Sequence, residues 1–122
     1  VCDWKAEKAY SELIAKVNRI ENEIPSIKRS FQRWDKNKHL ENIKTSGYFR
    51  YSREITLFHE EKGDASRLTG IALSQGGLQT ILKTQPDLIE KDWKRFMDAI
   101  TAIYQNREFS MGFCYRMRIG IK

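Results

Sequence analysis

The chain ends in FSMGFCYRMRIGIK, residues 109–122, and this segment decides the fold. Apolar side chains occupy every second position, and small or basic side chains fill the positions between them. Because successive side chains of a strand point to opposite faces, the alternation predicts one long β-strand with an apolar and a polar face. Such a strand needs a neighbouring strand and a layer of helix to bury its apolar face.

A second alternating segment, YFRYSREITLFHEE at residues 48–61, is the candidate neighbour. Its aromatic and aliphatic side chains fall mostly on one face, together with Arg53 and His59. The other face is polar and is interrupted by Phe58. The two segments are therefore expected to pair as antiparallel strands.

The first third of the chain has helical periodicity. Asp3 is a suitable N-cap for a helix that runs to about Ile20, and Pro25 ends this helix or starts the next. A second, more polar helix is expected to reach Trp34. Residues 35–47 have the composition of a loop with a weak helical tendency.

Between the two strands, the sequence predicts a third helix capped by Asp64 and a strongly amphipathic fourth helix. Gly76 and Gly77 should break or kink the third helix, and Asp87 with Glu90 resembles a capping box. The expectation is one α+β domain, residues 1–122, with an antiparallel pair of long strands and about four helices.

Composition limits the function classes. No apolar run approaches the ~18 residues of a membrane span, so no membrane association is expected. The net charge of +6 is divided equally between residues 1–47 and 48–122, and acidic residues interrupt the basic clusters. This spread argues against nucleic acid as a partner, although Arg50 and Arg53 interleaved with aromatic residues keep a basic nucleic-acid-binding domain as an alternative.

The sequence contains no strong catalytic or metal signature. Its cysteines, Cys2 and Cys114, lie at opposite ends, and no spacing of Cys and His suits a metal. Free thiols fit a reducing cytoplasmic location. His59 is followed by two glutamates, but neighbouring strand residues face opposite ways, so a surface histidine is the simpler interpretation.

Four stretches together resemble one family. They are VCDW at 1–4, FRYSREI at 49–55, TGIALSQGG at 69–77 and YRMRIGIK at 115–122. They are similar to the C-terminal half of class I S-adenosylmethionine-dependent methyltransferases that act on small molecules. The resemblance implies a doubly wound α/β parent with a seven-stranded sheet, whose last strand lies between the fifth and sixth.

The resemblance also implies a place for each segment. Residues 1–4 would end the fifth strand, and residues 48–61 and 109–122 would be the sixth and seventh strands. The candidate substrate-binding residues are Trp4, Tyr10, Trp34, Ser74 and Gln75. S-adenosylmethionine would be the cofactor of the parent and not of this chain alone, since the glycine-rich cofactor loop and the acidic ribose-binding position are absent.

The expected function is thus the substrate-binding portion of a methyltransferase for a small-molecule methyl acceptor, inactive alone. No catalytic residue can be assigned. The alternatives are a free-standing, non-catalytic module that binds a ligand or a protein, and the basic nucleic-acid-binding domain. Because two strands leave both edges unpaired, a homo-oligomer formed through strand edges is also expected to be accessible.

Overall fold

A computed structural model describes residues 4–28 and 34–122 of the chain. These residues form an α+β fold with a two-stranded antiparallel sheet, as the sequence predicts, and with six α-helices where the sequence predicts about four. The elements are α1 (Trp4–Glu23), α2 (Pro25–Lys28), a 3₁₀ turn (Lys36–Lys38), α3 (His39–Thr45), β1 (Tyr51–Gly63), α4 (Ala65–Leu73), α5 (Gly76–Thr84), a second 3₁₀ turn (Pro86–Leu88), α6 (Glu90–Tyr104) and β2 (Phe109–Ile121). The predicted Asp3 cap lies outside the described residues.

The described residues divide into two compact units. The helical unit comprises residues 4–28 and 61–111, and the ribbon unit comprises residues 34–60 and 112–122. The helical unit contains α1, α2, α4, α5 and α6. The ribbon unit contains α3 and most of the two paired strands.

The core of the helical unit is built from the predicted helical stripes. α1 buries Ala6, Leu13, Val17 and Ile20, and α6 buries Phe96, Ile100 and Tyr104. Each fully buried aliphatic or aromatic side chain contributes about 1.5–3 kcal/mol relative to its exposed state. This burial, rather than helix propensity, is what stabilises short helices such as α4 and α5.

Two of the predicted helix boundaries can be compared directly with the structure. The Asp64 side chain accepts a hydrogen bond from the backbone N–H of Arg67 at 2.8 Å, which confirms it as the N-cap of α4. The capping box predicted before α6 is absent: Ile89 precedes the helix and makes no side-chain cap. Pro86 instead starts a separate 3₁₀ turn, which takes up the residues between α5 and α6.

The ribbon unit differs from the sequence prediction at its start. The segment expected to be a loop, residues 35–47, contains α3. β1 begins at Tyr51 rather than at residue 48, because the Tyr48 N–H faces the Ser46 hydroxyl at 3.3 Å instead of a neighbouring strand. The Arg50 N–H then donates to the carbonyl of Ile121 at 2.9 Å, where the two strands meet.

Contacts across the sheet fix the register of the two polar faces. The Glu54 carboxylate accepts hydrogen bonds from the guanidinium groups of Arg116, at 3.1–3.2 Å, and of Arg118, at 2.7 Å. Phe58 packs against Gly112 on the same face. The polar faces predicted for the two strands therefore lie on the same side of the sheet, but Phe49, predicted on the apolar face, lies against Gly120 on the polar face.

Acidification is expected to remove the contribution of Glu54 to stability. Hydrogen bonds from Arg116 hold the pKa of the Glu54 carboxyl below its ordinary value of 4.5. A depressed pKa in the folded state means that the stabilisation is complete above pH 4.5 and is lost as the pH falls further, through the folded pKa. In urea unfolding, the stability difference between the wild type and Glu54→Gln should shrink between neutral pH and about pH 3. An equal difference at both pH values would contradict this.

Candidate functional site

Tyr10 and Gln75, two of the predicted site residues, meet in the helical unit. Tyr10 lies on α1 and is half-buried, and its side chain hydrogen-bonds with Gln75 in the turn between α4 and α5. Burial raises the pKa of Tyr10 above its ordinary value of 10.0, and the hydrogen bond with Gln75 partly offsets this effect. A neutral phenol and an amide are thus held side by side at neutral pH.

Two aromatic rings of α6 lie on one side of Tyr10. The Tyr10 ring lies 6.5 Å from the ring of Phe96 on α6, and the Trp93 ring stacks on Phe96 at 5.6 Å. Aromatic pairs at these distances contribute about 0.5–1.5 kcal/mol beyond the area that they bury. The phenol of Tyr10 is therefore held against a packed aromatic wall.

Gln75 is itself exposed, and so are the other three predicted site residues. Trp4 is 69% exposed, with the Lys5 ammonium 5.9 Å from its ring. Ser74 is also exposed, and its hydroxyl donates to the carbonyl of Ile71 at 2.6 Å. Trp34 belongs to the ribbon unit and is 69% exposed. The structure thus brings Tyr10 and Gln75 together and leaves both tryptophans largely in solvent.

The glycine pair beside Gln75 has a structural explanation. α5 begins at Gly76, and Gly77 is buried against α1. A Cβ at position 77 would overlap the carboxylate of Glu21 and lie 2.8 Å from its Cδ and 3.1 Å from Val17 Cγ1. The glycine therefore makes room for Glu21, which is only 5% exposed. The sequence signals a close approach at the pair, but nothing in the pattern of α1 identifies Glu21 as the neighbour.

Small cavities also occur in the helical unit. One of about 140 Å³ lies between α1 and α6, with Glu12, Asp92 and Arg95 at its polar side, and another of about 130 Å³ lies beside Thr80 and Thr84. Ligand pockets usually have about 300–1,000 Å³, so neither cavity can enclose a substrate by itself.

The ribbon unit exposes its apolar face. Tyr51 and Leu57 on β1 are 48% and 47% exposed, and Tyr115 and Met117 on β2 are 49% and 47% exposed. The rings of Phe113 and Tyr115 stack at 6.2 Å along this face. Groups of exposed apolar side chains are typical of surfaces that contact another protein or a ligand.

The described residues contain neither a metal-ligand cluster nor a helix suited to span a membrane. Within residues 4–28 and 34–122, no group of three or more His, Cys, Asp or Glu side chains is arranged to hold a metal ion. No helix in the same part of the chain is both long and apolar enough to cross a membrane. Comparison with models of protein families, with curated proteins and with solved structures found no significant match.

Substitution of the two glycines should have opposite effects on stability. Gly77→Ala forces the Glu21 carboxylate and Val17 to move, and is expected to lower the free energy of unfolding by about 1–3 kcal/mol. Gly76→Ala is the matched control: an added Cβ there meets nothing within 4 Å, so stability should be unchanged or rise by up to ~1 kcal/mol. Urea unfolding of both variants measures the difference. Equal effects would show that Glu21 does not depend on the space at Gly77.

Proposed function

We propose that this chain is the C-terminal, substrate-binding portion of a class I S-adenosylmethionine-dependent methyltransferase of the small-molecule type. The observation that carries the proposal is the antiparallel pairing of β1 and β2, which are separated in sequence by α4, α5 and α6. The resemblance requires this arrangement for the sixth and seventh strands of the parent sheet. Two strands that were unpaired, or a helix at either position, would have ruled it out.

The exposed apolar face of the ribbon supports the same proposal. A two-stranded ribbon is marginally stable in water unless further strands or helices cover it. Tyr51, Leu57, Tyr115 and Met117 are all about half exposed on this face. In a seven-stranded parent, helices would cover these side chains and further strands would pair with the ribbon edge.

Tyr10 and Gln75 are the residues that we assign to the methyl acceptor. The phenol and the amide can each donate and accept hydrogen bonds, and the buried ring of Phe96 lies behind the ring of Tyr10. Such groups would orient a polar acceptor and exclude water, which are the main tasks of the protein in methyl transfer. Trp4 and Ser74 lie in the same unit and belong to the proposal as outlying acceptor contacts.

The described residues do not fit the cofactor. Gly76 and Gly77 begin a helix that follows another helix, whereas a nucleotide-binding glycine loop follows a strand. The space at Gly77 is filled by Glu21. S-adenosylmethionine would thus be held by another part of the parent, and no catalytic step is assigned to residues of this chain.

The chain alone should not bind S-adenosylmethionine. Titration calorimetry is expected to give no saturable heat, because no described loop can hold the ribose or the methionine moiety. The same titration on the chain extended by its upstream coding sequence is expected to give one-to-one binding. Micromolar one-to-one binding by the chain alone would contradict the assignment of the cofactor to another part.

The coding sequence upstream of Val1 tests the proposal itself. We expect a strand followed by a glycine-rich turn, and an acidic residue at the end of the second strand. An upstream sequence without this pattern would exclude the proposal that the chain is part of a methyltransferase. The exposed ribbon face would then favour the second candidate, a free-standing protein-binding module of the cytoplasm, for which sedimentation of the chain alone would reveal self-association through strand edges.

In the extended enzyme, Gln75→Ala should weaken acceptor binding by ~1 kcal/mol or more, as expected for a lost hydrogen bond. Gln79→Ala is the matched control, because Gln79 has the same side chain and is exposed on α5. Steady-state kinetics with varied acceptor distinguishes the two variants. Acceptor kinetics that are equally affected in both variants, or unchanged in both, would remove Gln75 from the site.

A further inference from the structure

The ribbon unit contains an open cleft of about 480 Å³ beside α3. This volume lies within the range of small-molecule sites, about 300–1,000 Å³. Its wall combines two apolar and four polar side chains: His39, Asn42, Ile43, Ser46, Phe49 and Arg118. All six residues belong to the ribbon unit, whereas Tyr10 and Gln75 belong to the helical unit.

Gly120 shapes the apolar part of the cleft. A Cβ at this position would lie 2.7 Å from Cγ and Cδ1 of Phe49 and 3.0 Å from Cγ2 of Ile43. Only a glycine on β2 allows both side chains to approach the strand this closely. The Phe49 ring and the Ile43 side chain thus form an apolar surface next to Arg118 on the same strand.

Arg118 is held in place and retains unused donors. Its side chain is 15% exposed, and its Nε donates to the Glu54 carboxylate at 2.7 Å. Among the described residues, its two terminal nitrogens have no hydrogen-bond partner. A guanidinium anchored through Nε presents these two nitrogens as a fixed pair of donors.

His39 and Asn42 add two further polar groups. Both lie on α3, and neither side chain makes a hydrogen bond with another described residue. The Ser46 hydroxyl is already engaged, since it donates to the Ile43 carbonyl at 2.8 Å. The side chains of Arg118, His39 and Asn42 thus lie around one apolar surface, and each has hydrogen-bonding groups that a ligand could use.

The charge of the ribbon unit favours an anion. Its described residues include eight Lys or Arg and four Asp or Glu, a net charge of +4. The helical unit has twelve and eleven, a net charge of +1. Arg118, which lines the cleft, shares the Glu54 carboxylate with Arg116, so one positive charge of this group of three is uncompensated.

We propose that the cleft binds a small organic anion, with a carboxylate group on the terminal nitrogens of Arg118 and an apolar or aromatic body against Phe49 and Ile43. Arginine and carboxylate form paired, charge-assisted hydrogen bonds, which are stronger than neutral ones. Asn42 and His39 contact polar substituents of the ligand. This site is independent of the proposed methyl acceptor.

Benzoate is a suitable probe, because it has a carboxylate and an apolar ring of fitting size. In NMR titrations of the full chain, benzoate should shift the signals of Phe49, Asn42 and Arg118 in a saturable way, and neutral benzamide should not. Inorganic phosphate should bind at least threefold more weakly than benzoate. Equal shifts with benzamide, or phosphate binding as tight as that of benzoate, would overturn the proposal.

Charge-matched variants locate the binding. Arg118→Gln should weaken benzoate binding at least tenfold, whereas Arg53→Gln removes the same charge from an exposed position on β1 and should change it less than twofold. Asn42→Ala, at an exposed position on α3, should weaken binding about threefold without disturbing the Glu54 pair. Equal losses in Arg118→Gln and Arg53→Gln would show a non-specific charge effect and overturn the site.

Discussion

The pairing of β1 with β2 is the constraint on which the rest of the structure depends. The two strands are distant in sequence, and their closure forces α4, α5 and α6 to fold back as one excursion between them. The cost of closing so long a loop is entropic, and it must be offset by contacts within the excursion. The buried side chains of α4, α5 and α6 supply such contacts, and the buried stripe of α1 adds to them in the helical unit.

The same pairing explains why the ribbon unit carries both an ionic network on one face and exposed apolar side chains on the other. A sheet of two strands has two faces and few side chains with which to cover them. On the polar face, Glu54, Arg116 and Arg118 cover the strands with an ionic network, and Phe49 lies over Gly120. On the apolar face, Tyr51 and its neighbours stay half exposed. One face is thus partly covered by side chains of the chain itself, and the other is suited to contact a further body of protein.

The spacing of apolar residues predicted the two strands and the long helices well, because the pattern that marks each element lies within its own segment of the sequence. Both strands, the α1 and α6 stripes and the Asp64 cap follow from local spacing. α3 was missed because only two of its seven residues, Leu40 and Ile43, are apolar and none is buried, so no long apolar stripe marks it. The excess of positive charge in the ribbon unit was also not predicted, because that unit combines residues 34–60 with 112–122. When the sequence is divided into residues 1–47 and 48–122, the two parts carry the same net charge.

The candidate sites show why a sequence identifies side chains more readily than their partners. Gly77 and Gly120 are visible as glycines, but each is needed for a neighbour brought in by the fold: Glu21 from α1 in the first case, Phe49 in the second. Gln75 could be named from its position, whereas its hydrogen bond to Tyr10 depends on how α1 packs against the turn after α4. The packing of this molecule is therefore most specific at Gly77 and Gly120, where a glycine on one element leaves space for a side chain of another segment. Substitution of either glycine by alanine tests whether the fold depends on that space.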